Sequence, residues 1–129
     1  MTASKLEPKL FACTQSMELA KNIAKEYHIP LGNVITTHFS DGEFQPAFEE
    51  SVRGRRIFII GSTMPPANNL MEMLLMLDAA KRASARHITA VMPYFGWARQ
   101  GLRKGELLNL RKQVFERLWV FSEDCEALF

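Results

Sequence analysis

The sequence predicts an α/β fold with a mainly parallel sheet flanked by helices. Short apolar runs that are typical of strands alternate with stretches of helical periodicity, and one run, Ile57–Ile60, is continuously apolar and closed by Gly61. Such a run is typical of a strand that is buried on both faces, as in a parallel sheet covered by helices. The 129 residues, 47% of them apolar, are enough for one buried core.

The first half of the chain alternates between the two periodicities. Ser16 is expected to cap the first helix, and Pro30 and Gly32 end it. Pro46 favours an edge position for the strand that contains it. The expected elements are, in order, a strand at Leu10–Cys13, a helix at Met17–Tyr27, a strand at Val34–Phe39, a turn at Ser40–Gly42 and an extended segment at Glu43–Phe48.

The second half contains a helix whose apolar residues cover more than one face. After the buried strand and a loop at Pro65–Pro66, Asn68 or Asn69 is expected to cap this helix, which runs to Ala83, and His87–Met92 forms a further strand. The wide apolar surface has two interpretations that the sequence leaves open. The helix is either buried between two layers or exposes a surface for self-association.

Composition limits the classes of function. A formal charge of +2 argues against a dedicated nucleic-acid binder, and no apolar run approaches the roughly 20 residues of a membrane span. Cys13 and Cys125 lack any metal-type spacing and are interpreted as free thiols. The polar start of the chain has no secretory h-region, so we expect a cytoplasmic protein.

Two segments carry residues suited to binding a nucleotide. In Phe39–Glu43 a glycine permits a tight turn, an aromatic face can stack on a purine, and a carboxylate can accept a hydrogen bond from an exocyclic amine. Met92–Gln100 follows a strand, where ligands bind in open α/β sheets; Arg99 offers a planar donor fork for phosphate and Gln100 an amide. The alternatives are an ordinary turn between strands and a hydrophobic loop that packs on its own domain.

Other candidates are weaker. The three histidines, His28, His38 and His87, share no ligand-like spacing, so no metal site is expected from them. Neither a GxxxxGK[ST] nor a GxGxxG motif occurs. Ser62 and Thr63 follow the buried strand and could touch a phosphate, but a loop that leads into a helix uses such residues in any case.

Four blocks in order resemble the N-terminal half of ribose-phosphate pyrophosphokinases, from about Lys9 to Gln100. The blocks are FSDGE at 39–43, EESVRG at 49–54, DAAKRASA at 78–85 and PYFGWARQ at 93–100. The resemblance implies a phosphoribosyltransferase-type domain, and a family whose subunits carry two such domains and form hexamers. It also implies that diphosphate passes from ATP to ribose 5-phosphate with Mg²⁺, which gives phosphoribosyl pyrophosphate for nucleotide biosynthesis.

The resemblance also implies site residues. Phe39, Asp41 and Glu43, with Gly42 in the same turn, would hold adenine across a subunit interface, and Arg99 and Gln100 would contact the rest of the nucleotide.

The family pattern ends after Gln100. We therefore divide the chain into a family domain at 1–100 and a tail at 101–129, whose apolar spacing predicts an amphipathic helix. The family's metal-site histidine, its catalytic lysine–arginine loop and its ribose-phosphate loop have no match, so no catalytic residue and no metal ligand is assigned. We expect these residues alone to be inactive. The alternative is a non-catalytic subunit that docks on a full-length pyrophosphokinase, and the tail is either a genuine variant or a frameshift product.

Overall fold

The computed structural model describes residues 8–94 and the backbone of residues 125–128. A short 3-10 turn at Thr14–Ser16 precedes the first helix. No helix within the described part of the chain is long and apolar enough to cross a bilayer. The elements are β1 (Lys9–Ala12), α1 (Met17–Glu26), β2 (Val34–His38), β3 (Phe44–Phe48), β4 (Arg56–Ile60), α2 (Ala67–Arg82), β5 (His87–Val91) and β6 (Cys125–Leu128).

The main sheet is parallel, which confirms the predicted architecture. Its strand order is β1-β4-β5-β6, and each neighbouring pair runs in the same direction. Ala12 pairs with Ile60, which pairs in turn with Val91, so β1, β4 and β5 end at the same edge of the sheet. We call this edge, with the loops that leave it, the carboxyl edge.

Helices cover the sheet on both faces. Alternate side chains of each strand point to opposite faces, so neighbouring strand residues join different clusters. On one face Ala12 and Ile60 pack with Ala20 of α1, while Ile23, Leu31 and Val91 border them. On the other face the strands and α2 form the larger core, which contains Phe11, Cys13, Val52, Ile57, Ile59, Met73, Met76, Leu77, Ala80, Ile88, Ala90 and Met92.

Strands β2 and β3 form a separate antiparallel hairpin. Pro46 lies in this two-stranded sheet, which agrees with the predicted edge position. The hairpin packs through Phe48, whose ring meets that of Phe11 edge-on at a centroid distance of 4.6 Å. Its base is tied to β1 because Lys9 Nζ lies 2.7 Å from Glu50 Oε1. The hydrogen bond from Lys9 is the main reason that the pKa of Glu50 is lowered.

Helix α2 lies between the main sheet and the hairpin, since it contacts β3 as well as β4 and β5. Most of its apolar surface is therefore buried between two layers, which is one of the two interpretations of the sequence. Met71, at 50% exposure, is the large apolar side chain of this helix that stays open to solvent.

Of the two predicted N-caps, Ser16 is confirmed in position and Asn68 or Asn69 is wrong. Ser16 does precede α1, but its side chain makes no capping hydrogen bond, because its oxygen accepts the Ser62 N–H instead. Helix α2 begins earlier than expected, at Ala67 after Pro66. Asn69 lies in its first turn and donates from Nδ2 to the Met64 carbonyl at 2.9 Å. In both cases a long-range or loop contact replaces the local cap.

Residues 125–128 form a strand, so the helix expected over 101–129 does not include them. The pairing of β6 with β5 satisfies backbone groups that would otherwise be unpaired along β5. The remainder of the predicted helix lies outside the described residues.

Candidate functional site

The hairpin loop, residues 39–43, is closed by its own backbone. The Phe39 N–H donates to the Glu43 carbonyl at 2.8 Å, and the Gly42 N–H donates to the Phe39 carbonyl at 3.1 Å. The Asp41 side chain adds a third bond, because Oδ1 accepts the Glu43 N–H at 2.9 Å. These bonds are of the kind that stabilise Asx turns, so the loop is ordered by its own residues.

Gly42 is required by the backbone of this turn. Its φ is 99°, a region that residues with a Cβ rarely adopt, and no atom lies within 4 Å of the position that a Cβ would occupy. The constraint is therefore conformational rather than steric. This explains why a glycine follows Asp41 in the motif.

The carboxyl group of Asp41 is held in its ionised form. Hydrogen bonds from Glu43, the backbone N–H first, lower the pKa of Asp41. Asp41 accepts the Glu43 N–H through Oδ1, and the residue is exposed. An ionised acceptor of this kind suits a donor such as an exocyclic amine.

The loop brings together four of the six predicted ATP-binding residues. Phe39, Asp41, Gly42 and Glu43 are all exposed, and Phe39, at 49% exposure, is an aromatic residue accessible to a ligand. The other two, Arg99 and Gln100, lie outside the described residues. The assignment of all six to ATP stays a prediction.

The carboxyl edge holds the start of the second predicted segment. Tyr94 is the last residue described after β5, and its carbonyl accepts the Thr63 N–H at 3.0 Å. The Thr63 hydroxyl lies 3.5 Å from the same carbonyl. Thr63 is fully buried and Ser62 is 9% exposed. Ser62 and Thr63 are therefore structural residues of the loop. This favours the interpretation that they serve the loop that leads into the helix, and not a phosphate.

A buried polar network at this edge was missed by the sequence analysis. Among the described residues, five of the six buried polar side chains lie in the loops of the carboxyl edge or in the first two turns of α2. Both oxygens of Glu72 are occupied, by the Thr14 N–H at 2.7 Å and the Thr14 hydroxyl at 2.8 Å. No motif marks these residues; the one sequence signal is a glutamate within an otherwise apolar stretch of helix. The five are Ser16, Ser62, Thr63, Asn69 and Glu72.

Cys13 lies beneath the same edge and is a buried free thiol. Burial is the main reason that the pKa of Cys13 is raised, and the charge of Glu72 acts in the same direction. The Cys13 Sγ contacts Met76 Sδ at 3.7 Å. A thiol in this environment is a poor nucleophile and acts as a core residue.

The two middle sequence blocks meet at the opposite edge of the sheet. The Gly54 N–H donates to the Ser84 carbonyl at 2.9 Å, and the Arg55 carbonyl accepts the Arg86 N–H at 2.8 Å. Gly54 and Ser84 both have positive φ values, 69° and 65°. The two blocks thus form turns that contact each other, and the sequence alone did not predict this contact.

The described residues contain no group of three or more His, Cys, Asp or Glu side chains that could hold a metal ion.

Comparison with known proteins agrees with this architecture. The family model described as the N-terminal domain of ribose phosphate pyrophosphokinase matches residues 8–114. A ribose-phosphate pyrophosphokinase from Porphyromonas gingivalis is 57% identical over 91 residues, which cover 70% of this chain and 29% of that protein. Ribose-phosphate pyrophosphokinase 1 from Listeria monocytogenes is 56% identical over 93 residues, 71% of this chain and 29% of that one.

A solved structure shares the fold. The phosphoribosylpyrophosphate synthetase from Mycobacterium smegmatis superposes with a TM-score of 0.71 at 31% identity, over 95% of this chain and 48% of the other. The fold is thus an α/β domain of the type found in that synthetase. This chain belongs to the ribose-phosphate pyrophosphokinase family, and it spans about 29% of the length of the curated relatives that it matches.

Proposed function

We propose that this chain provides adenine-binding and phosphate-binding residues of an ATP site in a ribose-phosphate diphosphokinase. In the full reaction, diphosphate passes from ATP to ribose 5-phosphate and gives phosphoribosyl pyrophosphate for nucleotide biosynthesis in the cytoplasm. The observation that carries the proposal is the hairpin loop, where an exposed Phe39 ring stands on the same ordered turn as the ionised Asp41 carboxylate. Family membership and the four sequence blocks support it.

The proposed binding mode divides the nucleotide between two segments. Adenine stacks on Phe39, and Asp41 or Glu43 accepts a hydrogen bond from its exocyclic amine. Arg99 and Gln100 contact the phosphate side, where a guanidinium fork matches phosphate oxygens. Mg²⁺ belongs to the family reaction, but the described residues offer no ligand cluster for it, so no step of this proposal depends on a metal held by the protein.

Replacing Phe39 by alanine tests the adenine side. We expect the binding free energy of ATP to fall by about 1–3 kcal/mol, the usual contribution of one base stacked on an aromatic ring. Titration calorimetry with ATP and with adenosine measures it, and both ligands should weaken equally. Tyr27→Ala is the matched control, because Tyr27 is a 71% exposed aromatic residue at the end of α1. An unchanged affinity in Phe39→Ala would show that adenine does not bind at this loop.

Replacing Arg99 by alanine tests the phosphate side. We expect ATP to bind more weakly and adenosine to bind nearly as before, because only ATP carries the phosphates that a guanidinium recognises. Equal losses for the two ligands would contradict this division of the nucleotide.

We expect the 129-residue chain to be inactive by itself. Phosphoryl transfer depends on positioning and on cationic stabilisation of the developing charge, and the family's lysine–arginine and ribose-phosphate loops have no match in these residues. An assay with ATP, Mg²⁺ and ribose 5-phosphate checks this expectation, and clear turnover by the purified chain would disprove it.

A second proposal is that the chain docks on a full-length pyrophosphokinase or on a second copy of itself, as the hexamers of the family suggest. The half-exposed Ile35 of the hairpin and Met71 of α2 favour it, because both are large apolar side chains open to solvent. Co-purification with a full-length homologue, compared with an Ile35→Ser, Met71→Ser variant, tests it. Equal recovery of both chains would show that neither Ile35 nor Met71 contributes to the interface.

A further inference from the structure

The hairpin loop begins and ends next to two side-chain rings that face each other across the hairpin. His38 and Phe44 are the last residues that pair between β2 and β3. Their ring centroids lie 6.0 Å apart, and the ring planes are inclined by 39°. We call these two side chains the ring pair. It adjoins the loop on both strands, because Phe39 follows His38 and Glu43 precedes Phe44.

Side chains, more than backbone bonds, join the two strands at the ring pair. The Phe39 N–H donates to the Glu43 carbonyl at 2.8 Å, so these two residues face each other at a hydrogen-bonded position. In an antiparallel pair such positions alternate with non-hydrogen-bonded ones, at which the side chains lie closer together. His38 and Phe44 therefore occupy a non-hydrogen-bonded position, where contact between side chains stabilises the pairing.

The ring pair lies on the face of the hairpin opposite the adenine side of the loop. Successive side chains of a strand alternate between its two faces. Phe44 and its partner His38 thus share the face of Phe48, which packs against the core. Phe39 and Glu43 lie on the other face. A ligand that stacks on Phe39 would not touch the ring pair, so any effect of His38 on that ligand is indirect.

We propose that His38 is a positioning residue for the adenine side of the nucleotide. Its ring packs against Phe44 and fixes the separation of the strands at the point where the loop begins. Because Phe39 and Glu43 face each other across the next position, that separation sets the distance between the aromatic ring and the carboxylate. The inference rests on the proposed function, which assigns Phe39 and Glu43 to adenine.

His38 can be replaced without disturbing the core. It is exposed, whereas Phe44 is half-buried, so His38→Ala opens no internal cavity and its effect should be confined to the end of the hairpin. His38→Phe keeps a ring opposite Phe44 and removes the imidazole nitrogens. The two variants therefore separate ring packing from any polar role of the histidine.

Amide hydrogen exchange of the whole 129-residue chain, followed by NMR, tests the ring pair itself. In His38→Ala we expect the Phe39 and Gly42 amides to exchange about two- to fivefold faster, as for loss of one cross-strand aromatic pair. In His38→Phe they should exchange at the original rate. The Thr63 amide, which bonds to Tyr94 at the carboxyl edge, should be unchanged in both variants. An unchanged rate for the Phe39 amide in His38→Ala would overturn the proposal.

Calorimetry tests the effect on binding. We expect His38→Ala to weaken adenosine and ATP equally, by about two- to fivefold, because both carry adenine, and His38→Phe to restore the affinity. His87→Ala is the matched control, since His87 is an exposed histidine at the start of β5. Failure of His38→Phe to restore binding, or an equal loss in His87→Ala, would show that the ring packing of His38 is not the cause.

A second substitution shows whether His38 acts through Phe39. Residues that act on one contact are not additive. In a chain that already carries Phe39→Ala, His38→Ala should therefore weaken adenosine less than it does in the unaltered chain. An equal loss in both backgrounds would contradict a positioning role.

The outcomes distinguish this proposal from the proposed function. If the unaltered chain binds neither adenosine nor ATP, the proposed function fails and the positioning role fails with it, whereas the exchange rate of the Phe39 amide still decides whether His38 orders the loop. If the chain binds both ligands and His38→Ala binds them as tightly, the positioning role alone is wrong.

Discussion

The hairpin loop and the carboxyl edge both carry motifs expected to meet a nucleotide, but their hydrogen bonds differ in range. In the hairpin loop, Glu43 and Asp41 are two positions apart, and the loop is exposed. At the carboxyl edge, the bonds from Thr14 to Glu72, from Ser62 to Ser16 and from Thr63 to Tyr94 span 58, 46 and 31 positions. The first region is organised by its own residues, whereas the second exists only when the whole sheet has formed.

This difference predicts where the molecule is vulnerable. A local turn survives partial loss of the core, because its bonds close short loops at little entropic cost. Bonds between distant segments form only after the chain entropy of folding has been overcome. Conditions that loosen the core should thus affect the carboxyl edge before the hairpin loop, and four substitutions or titrations can test the comparison.

The largest effect is expected from Glu72→Ala. It removes the buried carboxylate that accepts both the N–H and the hydroxyl of the exposed Thr14, and the free energy of unfolding should fall by about 2–4 kcal/mol, because hydrogen bonds to a charged group contribute more than neutral ones. Glu72→Gln, which keeps the shape and one acceptor, should lose less. Chemical denaturation measures both. Met71→Ala is the control on an exposed neighbour, and a Glu72→Ala value close to this control would contradict the network.

Gly61→Ala should have the next largest effect. A Cβ at Gly61 would lie 2.6 Å from Cys13 Sγ and 2.9 Å from Met73 Cε, so side chains of the core must move. Overpacking of this kind costs about 1–3 kcal/mol. If Cys13→Ala in the same chain restores part of the lost stability, the cause is steric. A loss that Cys13→Ala leaves unchanged would show that the Sγ contact is not the cause, and would point to the remaining contacts with Cys13 Cβ and Met73 Cε.

The elements of the fold could be predicted from the sequence because each is a local pattern. The apolar run of β4 and the helical spacing of α1 and α2 are local, and their bounds agree with the prediction to within a few residues. Ser16 occupies the predicted N-cap position but makes no capping hydrogen bond, because its side chain has a distant partner, Ser62, 46 positions away. No local pattern contains that information.

The candidate site divides in the same way. The hairpin loop could be predicted from FSDGE alone, because the two residues that the turn needs, Asp41 and Gly42, are adjacent in the sequence. The bonds from Ser62 to Ser16 and from Thr63 to Tyr94 could not, since serine and threonine after a strand are common and become distinctive only when their partners are known. The strand at Cys125–Leu128 was also missed, because its pairing with β5 depends on an edge that the sheet provides.

Gly42→Ala should have a smaller effect than Gly61→Ala and a different cause. Space is open around Gly42, but its φ of 99° is unfavourable for alanine, and the strain costs about 1 kcal/mol. We expect the loss to appear as faster amide exchange within residues 39–43 and little change at Thr63. A loss of protection at the carboxyl edge of equal size would show that the two regions are coupled.

The smallest effect is the pH dependence of the hairpin loop. The pKa of Asp41 is lowered chiefly by the Glu43 N–H, so the loop favours the carboxylate form. Its contribution to stability is complete above the ordinary pKa of about 3.9 and is lost as pH falls through the lower pKa of the folded state.

NMR titration should show the Asp41 carboxyl and the Glu43 amide changing together below the ordinary value. In Asp41→Asn the Glu43 amide should lose this titration, because an amide oxygen accepts the same bond at every pH. Titration of Asp41 at or above its ordinary value would show that the turn does not hold the carboxylate, and the hairpin loop would then lack the ionised acceptor assigned to the adenine side.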